Sequence, residues 1–403
     1  MMNRHLEKLF PYPFERLNVL LNKIEPESKA PLVIWSVGEP KHSAPDFLVE
    51  LMQDTDFIKS GFGSYPPTKG LPELRTAISS YLHSRYQLSE APDADHQVLP
   101  VNGTREALFS FAQTIIDPGG DSITIMPNPF YQIYEGAALL AGSQPWYLNN
   151  HPESGLPDFK SVPAEVWQQC QLLYICSPAN PSGAVADRHT LQFVIEKSQE
   201  FNFVIASDEC YSEIYADENK PPPGLLEVAD KMGHKNYKNC VAFNSLSKRS
   251  NLPGLRSGYI SGDSELIERF LLYRTYHGSA MPVHHQLISS AAWQDQKHVK
   301  TNREDYRQKF SAVTEILRSV WPVQAPAGAF YLWPETPVDD QLFATRMLQY
   351  TNTKVLPGTF LSRDTKFGNP GKNRIRIALV ATKAECIEAA ERIVTAWPKL
   401  VSN

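Results

Sequence analysis

Short, continuous apolar runs in the middle of the chain predict buried β-strands. Five such runs lie between Gln97 and Gly262. They cover residues 122–126, 171–176, 203–207, 240–244 and 258–262. Stretches with apolar residues at helical spacing, such as 106–116 and 187–201, separate several of these runs. Because continuous apolar strands that alternate with helices are typical of sheets covered on both faces, the pattern predicts an α/β fold with a largely parallel sheet.

The two ends of the chain carry helical patterns of their own. Apolar residues on one face predict a helix over 14–24, which forms an arm leading into the body of the protein. Thr301 and Thr382 each stand three residues before a glutamate, which is capping-box spacing and predicts the starts of two helices. An alternating apolar strand over 375–379 lies between them. We therefore expect a smaller α/β domain from about Gln286 to the end, to which the arm returns.

The length of the chain bears on its division into domains. A chain of 403 residues exceeds what one hydrophobic core usually fills. We expect an N-terminal arm with part of the small domain at 1–47, a large domain at 48–285 and a small C-terminal domain at 286–403.

Composition and charge narrow the classes of function. The formal net charge is −5 and no long Lys/Arg run occurs, which argues against binding of nucleic acid backbones. The five cysteines lack CxxC spacing and are interpreted as reduced core residues, not as disulfides or zinc ligands. The first residues lack the apolar stretch of a signal peptide, and no run approaches about eighteen apolar residues. We expect a cytoplasmic location and no membrane partner.

Polar groups follow three successive predicted strands, at the edge of the sheet where ligands of open α/β proteins bind. They are Asn180 after the second run, Asp208 and Tyr211 after the third, and Ser245, Lys248 and Arg256 after the fourth. Taken singly, each has an ordinary structural explanation. Asn180 and Asp208 could be turn or cap residues, Tyr211 a core aromatic, and Arg256 half of a surface ion pair. Because all of them follow successive predicted strands, their combination indicates a ligand-binding site at this edge of the sheet.

One chemistry uses all of these groups, namely that of pyridoxal 5′-phosphate. A lysine amine condenses with the aldehyde of this cofactor, a carboxylate keeps its pyridine nitrogen protonated, and cationic and hydroxyl groups hold its phosphate. In this interpretation Lys248 forms the Schiff base and Asp208 pairs with the ring nitrogen. Asn180 and Tyr211 donate to the phenolic oxygen of the ring.

The phosphate needs further donors, and the string NGTREALFSF offers them. Gly103 and Thr104 lead into a predicted helix, whose N-terminal amides and dipole suit an anion. The simpler alternative is a plain helix cap at Thr104.

With these residues in place, the chain resembles the fold-type-I pyridoxal phosphate aminotransferases of class I/II, the aspartate-aminotransferase superfamily. The match runs in order from VGEP at Val37 to RIAL at Arg376, and SLSKRSNLPGLRSG is its most specific part. The resemblance implies an aspartate-aminotransferase-like fold. Such a fold has a large domain with a mostly parallel seven-stranded sheet and a smaller α/β domain.

The resemblance also implies a role for each matching residue. By this resemblance the catalytic residues are Lys248, Asp208 and Tyr211. The residues that bind the phosphate are Gly103, Thr104, Arg105, Ser245 and Arg256. Asn180 and Tyr211 contact the ring oxygen, and Tyr131 stacks on the ring unless it is simply a core tyrosine. Tyr65 matches the tyrosine that reaches the phosphate of the partner subunit, which implies an obligate homodimer with shared active sites.

The substrate side rests on the same resemblance. Arg376 matches the arginine that holds the substrate α-carboxylate through two parallel hydrogen bonds, with Arg374 as the competing assignment. Gly38 and Asn180 lie beside that carboxylate. Stretches such as PYPFERL and DECYSEIY look like proteobacterial N-succinyldiaminopimelate aminotransferases, which implies glutamate as amino donor and N-succinyl-2-amino-6-oxopimelate as acceptor.

Such an acceptor carries carboxylates beyond the first one, so the far end of the pocket needs more donors. Lys41, His42 and Arg249 are candidates, and each could equally be solvated surface.

Alternatives remain at several levels. A class I/II aminotransferase for aspartate, aromatic residues or alanine is the nearest one, and a regulatory module that retains the cofactor is a distant one. Ser245 and Lys248 also have the S-x-x-K spacing of serine β-lactamases, without the SDN or KTG motifs. Walker A, dinucleotide and HExxH patterns are missing, and the His284–His285 pair is interpreted as packing or surface, so no metal is expected.

Overall fold

This computed structural model of the protein describes residues 3–234 and 236–402. The strands are β1 Val33–Ile34, β2 Val98–Val101, β3 Ile123–Asn128, β4 Gln144–Asn149, β5 Cys170–Cys176, β6 Val204–Asp208, β7 Cys240–Ser245, β8 Gly258–Gly262, β9 Tyr331–Leu332, β10 Thr353–Lys354, β11 Leu356–Pro357 and β12 Ile375–Ala378. The α-helices are α1 Pro13–Leu21, α2 Asp46–Leu51, α3 Thr55–Ser60, α4 Pro72–Tyr86, α5 Thr104–Ile115, α6 Ile133–Ala141, α7 Ala164–Gln169, α8 Arg188–Phe201, α9 Leu225–Lys231, α10 Leu246–Arg249, α11 Ser264–His277, α12 Val283–Gln294, α13 Lys297–Leu317, α14 Asp340–Thr351 and α15 Lys383–Val401.

Seven strands form the central sheet, in the order β2-β8-β7-β6-β5-β3-β4. β8 runs antiparallel to both of its neighbours, and the other pairs are parallel. The α/β fold with a mostly parallel sheet is therefore confirmed. All five predicted runs are strands, whereas the sequence pattern did not predict the two edge strands, β2 and β4. β2 is only four residues long and contains Pro100, and β4 is only partly buried, so neither presents a continuous apolar run.

The sheet is covered on both faces because its strands are apolar on both sides. In β5, Leu172 and Tyr174 pack with helices α5 and α6 in one core cluster. Leu173 and Ile175, the alternate residues, pack with α7, α8 and α9 in another. This period-2 division places the functional groups at the strand ends, since the faces are used for packing.

A second, smaller sheet lies toward the C terminus, in the order β11-β12-β9 with antiparallel pairing. Helices α13, α14 and α15 supply its core cluster. β1 pairs in parallel with β10, and Leu17 and Leu21 of α1 pack against Leu348 and Leu356. The N-terminal segment thus contacts this C-terminal part, as predicted. The boundaries at 47/48 and 285/286 stay a prediction.

The two capping boxes have different outcomes. Thr382 caps α15, because its hydroxyl accepts from the Glu385 amide at 3.3 Å and the Glu385 carboxylate accepts from the Thr382 amide at 2.9 Å. The prediction that a helix starts at Thr301 is wrong. α13 begins at Lys297, so Thr301 lies inside this helix, and Asp295 accepts from the amide of His298 in the first turn at 3.0 Å.

All five cysteines are buried and free, as predicted. Among the described residues, no helix is both long and apolar enough to cross a lipid bilayer. In the same part of the chain, no group of three or more His, Cys, Asp and Glu side chains is arranged to hold a metal ion.

Candidate active site

A cavity of about 550 Å³ opens at the carboxyl ends of β5, β6 and β7. The predicted residues that line it are Gly38, Thr104, Arg105, Tyr131, Asn180, Asp208, Tyr211, Ser245, Lys248, Arg256 and Arg376. They come from the N-terminal segment, the central sheet and the small C-terminal sheet. Strand-end position alone brings the central group together, as expected for an open α/β sheet.

Lys248 lies in the short helix α10, directly after β7. Its Nζ donates a hydrogen bond to the backbone carbonyl of Gly38 at 2.8 Å. Burial is the main cause that lowers the pKa of the Lys248 amine to about 8, and the nearby Arg376 and Arg105 guanidinium groups lower it further. Near pH 8 a large share of this amine is neutral and nucleophilic.

Asp208 is the last residue of β6, and it is only 4% exposed. Its Oδ2 accepts from the Tyr134 hydroxyl at 2.6 Å, and its Oδ1 accepts from the Cys210 amide at 3.2 Å. Burial raises the pKa of Asp208, against these two hydrogen bonds. None of the ion pairs between described residues includes Asp208. A buried carboxylate without a cation is costly, so this position suits a cationic ligand atom.

A cradle for an anion lies at the start of α5. Gly103 has φ +82° at the N-cap, and a side-chain carbon at this position would overlap the Arg256 guanidinium. The first amides of α5, beginning with Thr104, have no helical acceptor of their own. Ser245, Ser247 and Arg256 line the same cavity, and the Ser245 and Ser247 hydroxyl oxygens are 2.8 Å apart. These donors match the requirements of a phosphate group.

Arg376 is the buried cation at the other end of the cavity, with 4% exposure. It donates from one terminal nitrogen to Asn180 Oδ1 at 2.9 Å and from the other to the Ser36 carbonyl at 2.8 Å. Its buried Nε has no hydrogen-bond partner among the described residues. Arg374 does not line this cavity, because its guanidinium pairs with Glu335. The geometry therefore favours Arg376 over Arg374 for the binding of a carboxylate.

Three further predicted residues differ in their placement. Arg105 donates from Nε to the Tyr131 hydroxyl at 2.8 Å, and both side chains line the cavity. Tyr65 does not line it, and this side chain is 99% exposed. Its contact with a partner subunit stays a prediction.

None of the three candidates for the far end of the pocket lines this cavity. Arg249 is fully buried, and its guanidinium donates to the carbonyls of Ala292 at 2.8 Å and Asp295 at 3.2 Å. It holds α12 in place instead of facing a ligand. Lys41 and His42 line a separate cavity of about 690 Å³.

The structure adds three residues that the sequence analysis missed. Ser247 lines the cavity directly before Lys248, and its signal was the S-x-S-K spacing. Tyr134 donates to Asp208 and stands three residues after Tyr131, one helical turn away. Tyr331 lines the cavity and carries no recognisable motif beyond its place in GAFYLW.

The alternative of a serine hydrolase finds no support in this geometry. The Ser245 hydroxyl donates to the Ser257 carbonyl at 2.8 Å, whereas Lys248 Nζ donates to Gly38. An S-x-x-K pair that activates its serine needs a hydrogen bond between the two side chains.

Comparison with known proteins gives consistent results. The family model for aminotransferase class I and II matches residues 30–393. An LL-diaminopimelate aminotransferase from Dehalococcoides mccartyi is 30% identical over 386 residues, which cover 94% of this chain and 94% of that protein. The crystal structure of an aminotransferase from Neisseria meningitidis is 46% identical with a TM-score of 0.93, covering 98% of this chain and 100% of its own. The structure of a probable N-succinyldiaminopimelate aminotransferase from Thermus thermophilus is 25% identical with a TM-score of 0.81, covering 95% and 99%.

The contact between Gly38 and Tyr331 predicts a stability effect. We expect Gly38→Ala to lower the free energy of unfolding by about 1–3 kcal/mol, because the new methyl group would overlap the buried Tyr331 hydroxyl. Urea denaturation measures this change. Gly63→Ala is the control, since no described heavy atom lies within 4 Å of a side-chain carbon there. Equal urea midpoints for both variants would contradict the close approach at Gly38.

Proposed function

This chain belongs to the class I and II aminotransferases, and from that premise we propose that it transfers the amino group of glutamate to an oxo acid of the diaminopimelate class. The observation that carries this proposal is the convergence of Lys248, Asp208 and Arg376 on one cavity. The amine, the carboxylate and the guanidinium are the groups that transamination needs.

The finer proposal concerns the acceptor. We propose N-succinyl-2-amino-6-oxopimelate, which gives N-succinyl-LL-2,6-diaminopimelate, a precursor for lysine and peptidoglycan biosynthesis. The motifs PYPFERL and DECYSEIY support it, and so does the neighbour named as a probable N-succinyldiaminopimelate aminotransferase. The relatives named LL-diaminopimelate aminotransferase support the diaminopimelate class only.

Fold-type-I aminotransferases of this family use pyridoxal 5′-phosphate. This cofactor supplies an aldehyde that condenses with amines and a pyridinium ring that accepts electrons. The cavity fits it, because the buried Asp208 forms no ion pair among the described residues, and Ser245, Ser247 and Arg256 lie in the same cavity as the start of α5. We assign the ring nitrogen to Asp208.

The remaining contacts to the cofactor follow from position in the cavity. We assign the ring oxygen to Asn180 and Tyr211, ring stacking to Tyr131, and the phosphate to Thr104, Arg105, Ser245, Ser247 and Arg256, all of which line the cavity. We add Gly103 to the phosphate ligands because it packs against Arg256. The Asn180 carbonyl oxygen already accepts from Arg376, which leaves its amide nitrogen as the donor.

On the substrate side, Arg376 binds the α-carboxylate. Its contacts with Asn180 and the Ser36 carbonyl hold the guanidinium plane in one orientation, which a bidentate carboxylate contact requires. Lys248 Nζ then takes the proton from the α-carbon of the bound amino acid. Burial suits this role, because an amine with a pKa of about 8 both accepts and returns a proton near neutral pH.

We also propose that the protein is a homodimer in the cytoplasm. The ring of Tyr65 is almost completely exposed on one chain, which suits a residue that reaches the phosphate site of a second copy.

The substrate proposal predicts a clear order among amino donors in the reverse direction with 2-oxoglutarate. We expect kcat/KM for N-succinyl-LL-2,6-diaminopimelate to exceed that for LL-2,6-diaminopimelate, aspartate, phenylalanine and alanine by roughly 10-fold or more, as one additional well-placed charged contact allows. Steady-state assays of glutamate formation measure it.

Each other outcome has a defined meaning. Preference for the unsuccinylated diamine would overturn the finer proposal, and preference for aspartate, phenylalanine or alanine would overturn the diaminopimelate class. Retention of the cofactor without any turnover would favour a regulatory module.

The orientation of Arg376 predicts a loss of substrate affinity on replacement. Arg376→Lys removes the fork geometry, and we expect kcat/KM for glutamate to fall about 10–100-fold. Arg374→Lys is the matched control two residues earlier in the chain, and its kcat/KM should stay within about twofold because its partner is Glu335. The reverse ranking of the two variants would assign the carboxylate to Arg374.

The lowered pKa of Lys248 predicts how cofactor-free protein captures pyridoxal 5′-phosphate. Since only the neutral amine attacks the aldehyde, the initial rate should rise with pH and level off above about 8. Borohydride trapping followed by mass spectrometry gives the rate between about pH 6.5 and 10. Lys248→Arg should show no trapped adduct, and a wild-type rate that still rises at pH 10 would contradict the lowered pKa.

A further inference from the structure

Tyr331 begins strand β9 and is one of the most deeply buried side chains in the cavity wall, with 2% exposure. Its hydroxyl oxygen lies 2.8 Å from the hydroxyl oxygen of Tyr211. Burial raises the pKa of both phenols, so both are neutral at physiological pH. One proton therefore lies between the two oxygens, and one phenol donates to the other.

The surroundings determine which phenol donates. A phenol has one proton, so Tyr211 can donate to the ring oxygen of the cofactor only if it accepts from Tyr331. Gly38 packs directly against the Tyr331 hydroxyl, where even one added carbon would overlap. The hydroxyl is therefore held in place by packing on one side and by Tyr211 on the other.

The ring of Tyr331 has a second neighbour in the site. The Arg376 guanidinium carbon lies 4.6 Å from the centroid of this ring, a cation–π contact. The Tyr331 hydroxyl thus contacts Tyr211, the residue assigned to the ring oxygen. The face of the Tyr331 ring contacts Arg376, the residue assigned to the substrate carboxylate. A phenylalanine would keep the second contact and lose only the first.

We propose that Tyr331 is a positioning residue, whose hydroxyl donates to Tyr211 and thereby strengthens the hydrogen bond from Tyr211 to the cofactor ring oxygen. The proposal rests on the cofactor contacts assigned above. Hydrogen bonds in series polarise one another, so a donor behind Tyr211 makes Tyr211 a better donor. Donation to the ring oxygen favours the form of the bound cofactor in which that oxygen is an anion.

The test is the pH midpoint of the visible absorption of the holoenzyme without substrate. We expect Tyr331→Phe to raise the midpoint by roughly half a pH unit, because the anionic ring oxygen loses part of its stabilisation. Tyr211→Phe should raise it further. The double variant should match Tyr211→Phe alone, because Tyr331 acts through Tyr211.

Tyr306→Phe is the matched control. Tyr306 lies in the buried hydrophobic cluster that also contains Tyr211 and Tyr331, and its hydroxyl has no hydrogen-bond partner among the described residues. Its removal should leave the midpoint unchanged. The dissociation constant of an unreactive dicarboxylate such as glutarate should stay within about twofold in Tyr331→Phe, because the ring under Arg376 is retained.

The contrary outcomes are distinct. Two results would overturn the positioning role and leave the proposed function intact. One is a pH midpoint in Tyr331→Phe equal to that of the wild type. The other is a double variant whose midpoint exceeds that of Tyr211→Phe by as much as Tyr331→Phe exceeds the wild type. A wild-type holoenzyme without a visible band would overturn both. Should Tyr331→Phe fail to fold, Tyr331→3-fluorotyrosine keeps the shape and makes the hydroxyl a stronger donor; a downward shift then supports the role, and no shift overturns it.

Discussion

Parallel pairing of β5, β6 and β7 is the constraint on which the rest of the site depends. These strands are neighbours in register, with Cys176 opposite Asp208 and Asp208 opposite Phe243. Their carboxyl ends therefore meet at one edge, and the residues that follow them enter one cavity. Both faces of the sheet are occupied by packed helices, so the strand ends are where this sheet can present polar groups to a ligand.

Two buried carboxylates illustrate how the site differs from the supporting structure. Burial alone would raise the pKa of Glu213, but Arg85 at 2.9 Å and Arg303 at 3.1 Å bring it below its ordinary value. Burial raises the pKa of Asp208, whose partners are a phenol and an amide. Glu213 is satisfied within the chain and holds α4 to α13. Asp208 forms no ion pair with another described residue, and a buried carboxylate of this kind costs stability unless a cationic ligand binds beside it.

Local patterns predicted the parts of this protein that local physics determines. Apolar runs identified the buried strands, and the capping box at Thr382 marked a true helix start. The same spacing at Thr301 lies inside a helix, because α13 already begins at Lys297. The position of Asp208 and Lys248 after predicted strands placed them at one edge of the sheet, and in the structure both line the same cavity. Contacts between distant segments have no such signal, so the burial of Arg249 under α12 and the approach of Tyr331 to Tyr211 emerged only from the fold.

The N-terminal segment holds two cationic side chains of the cavity, Arg376 and Lys248, through backbone carbonyls rather than through an ion pair. Pairing of β1 with β10 carries this segment across the site, where the Ser36 carbonyl accepts from Arg376 and the Gly38 carbonyl accepts from Lys248. None of the ion pairs between described residues includes either cation. Carbonyl dipoles orient a charge without cancelling it, so Arg376 keeps its charge for the carboxylate ligand that we propose for it. A carboxylate in the same place would pair with Arg376 and compete with the ligand, which is why backbone from a distant segment serves this role better than an acidic side chain.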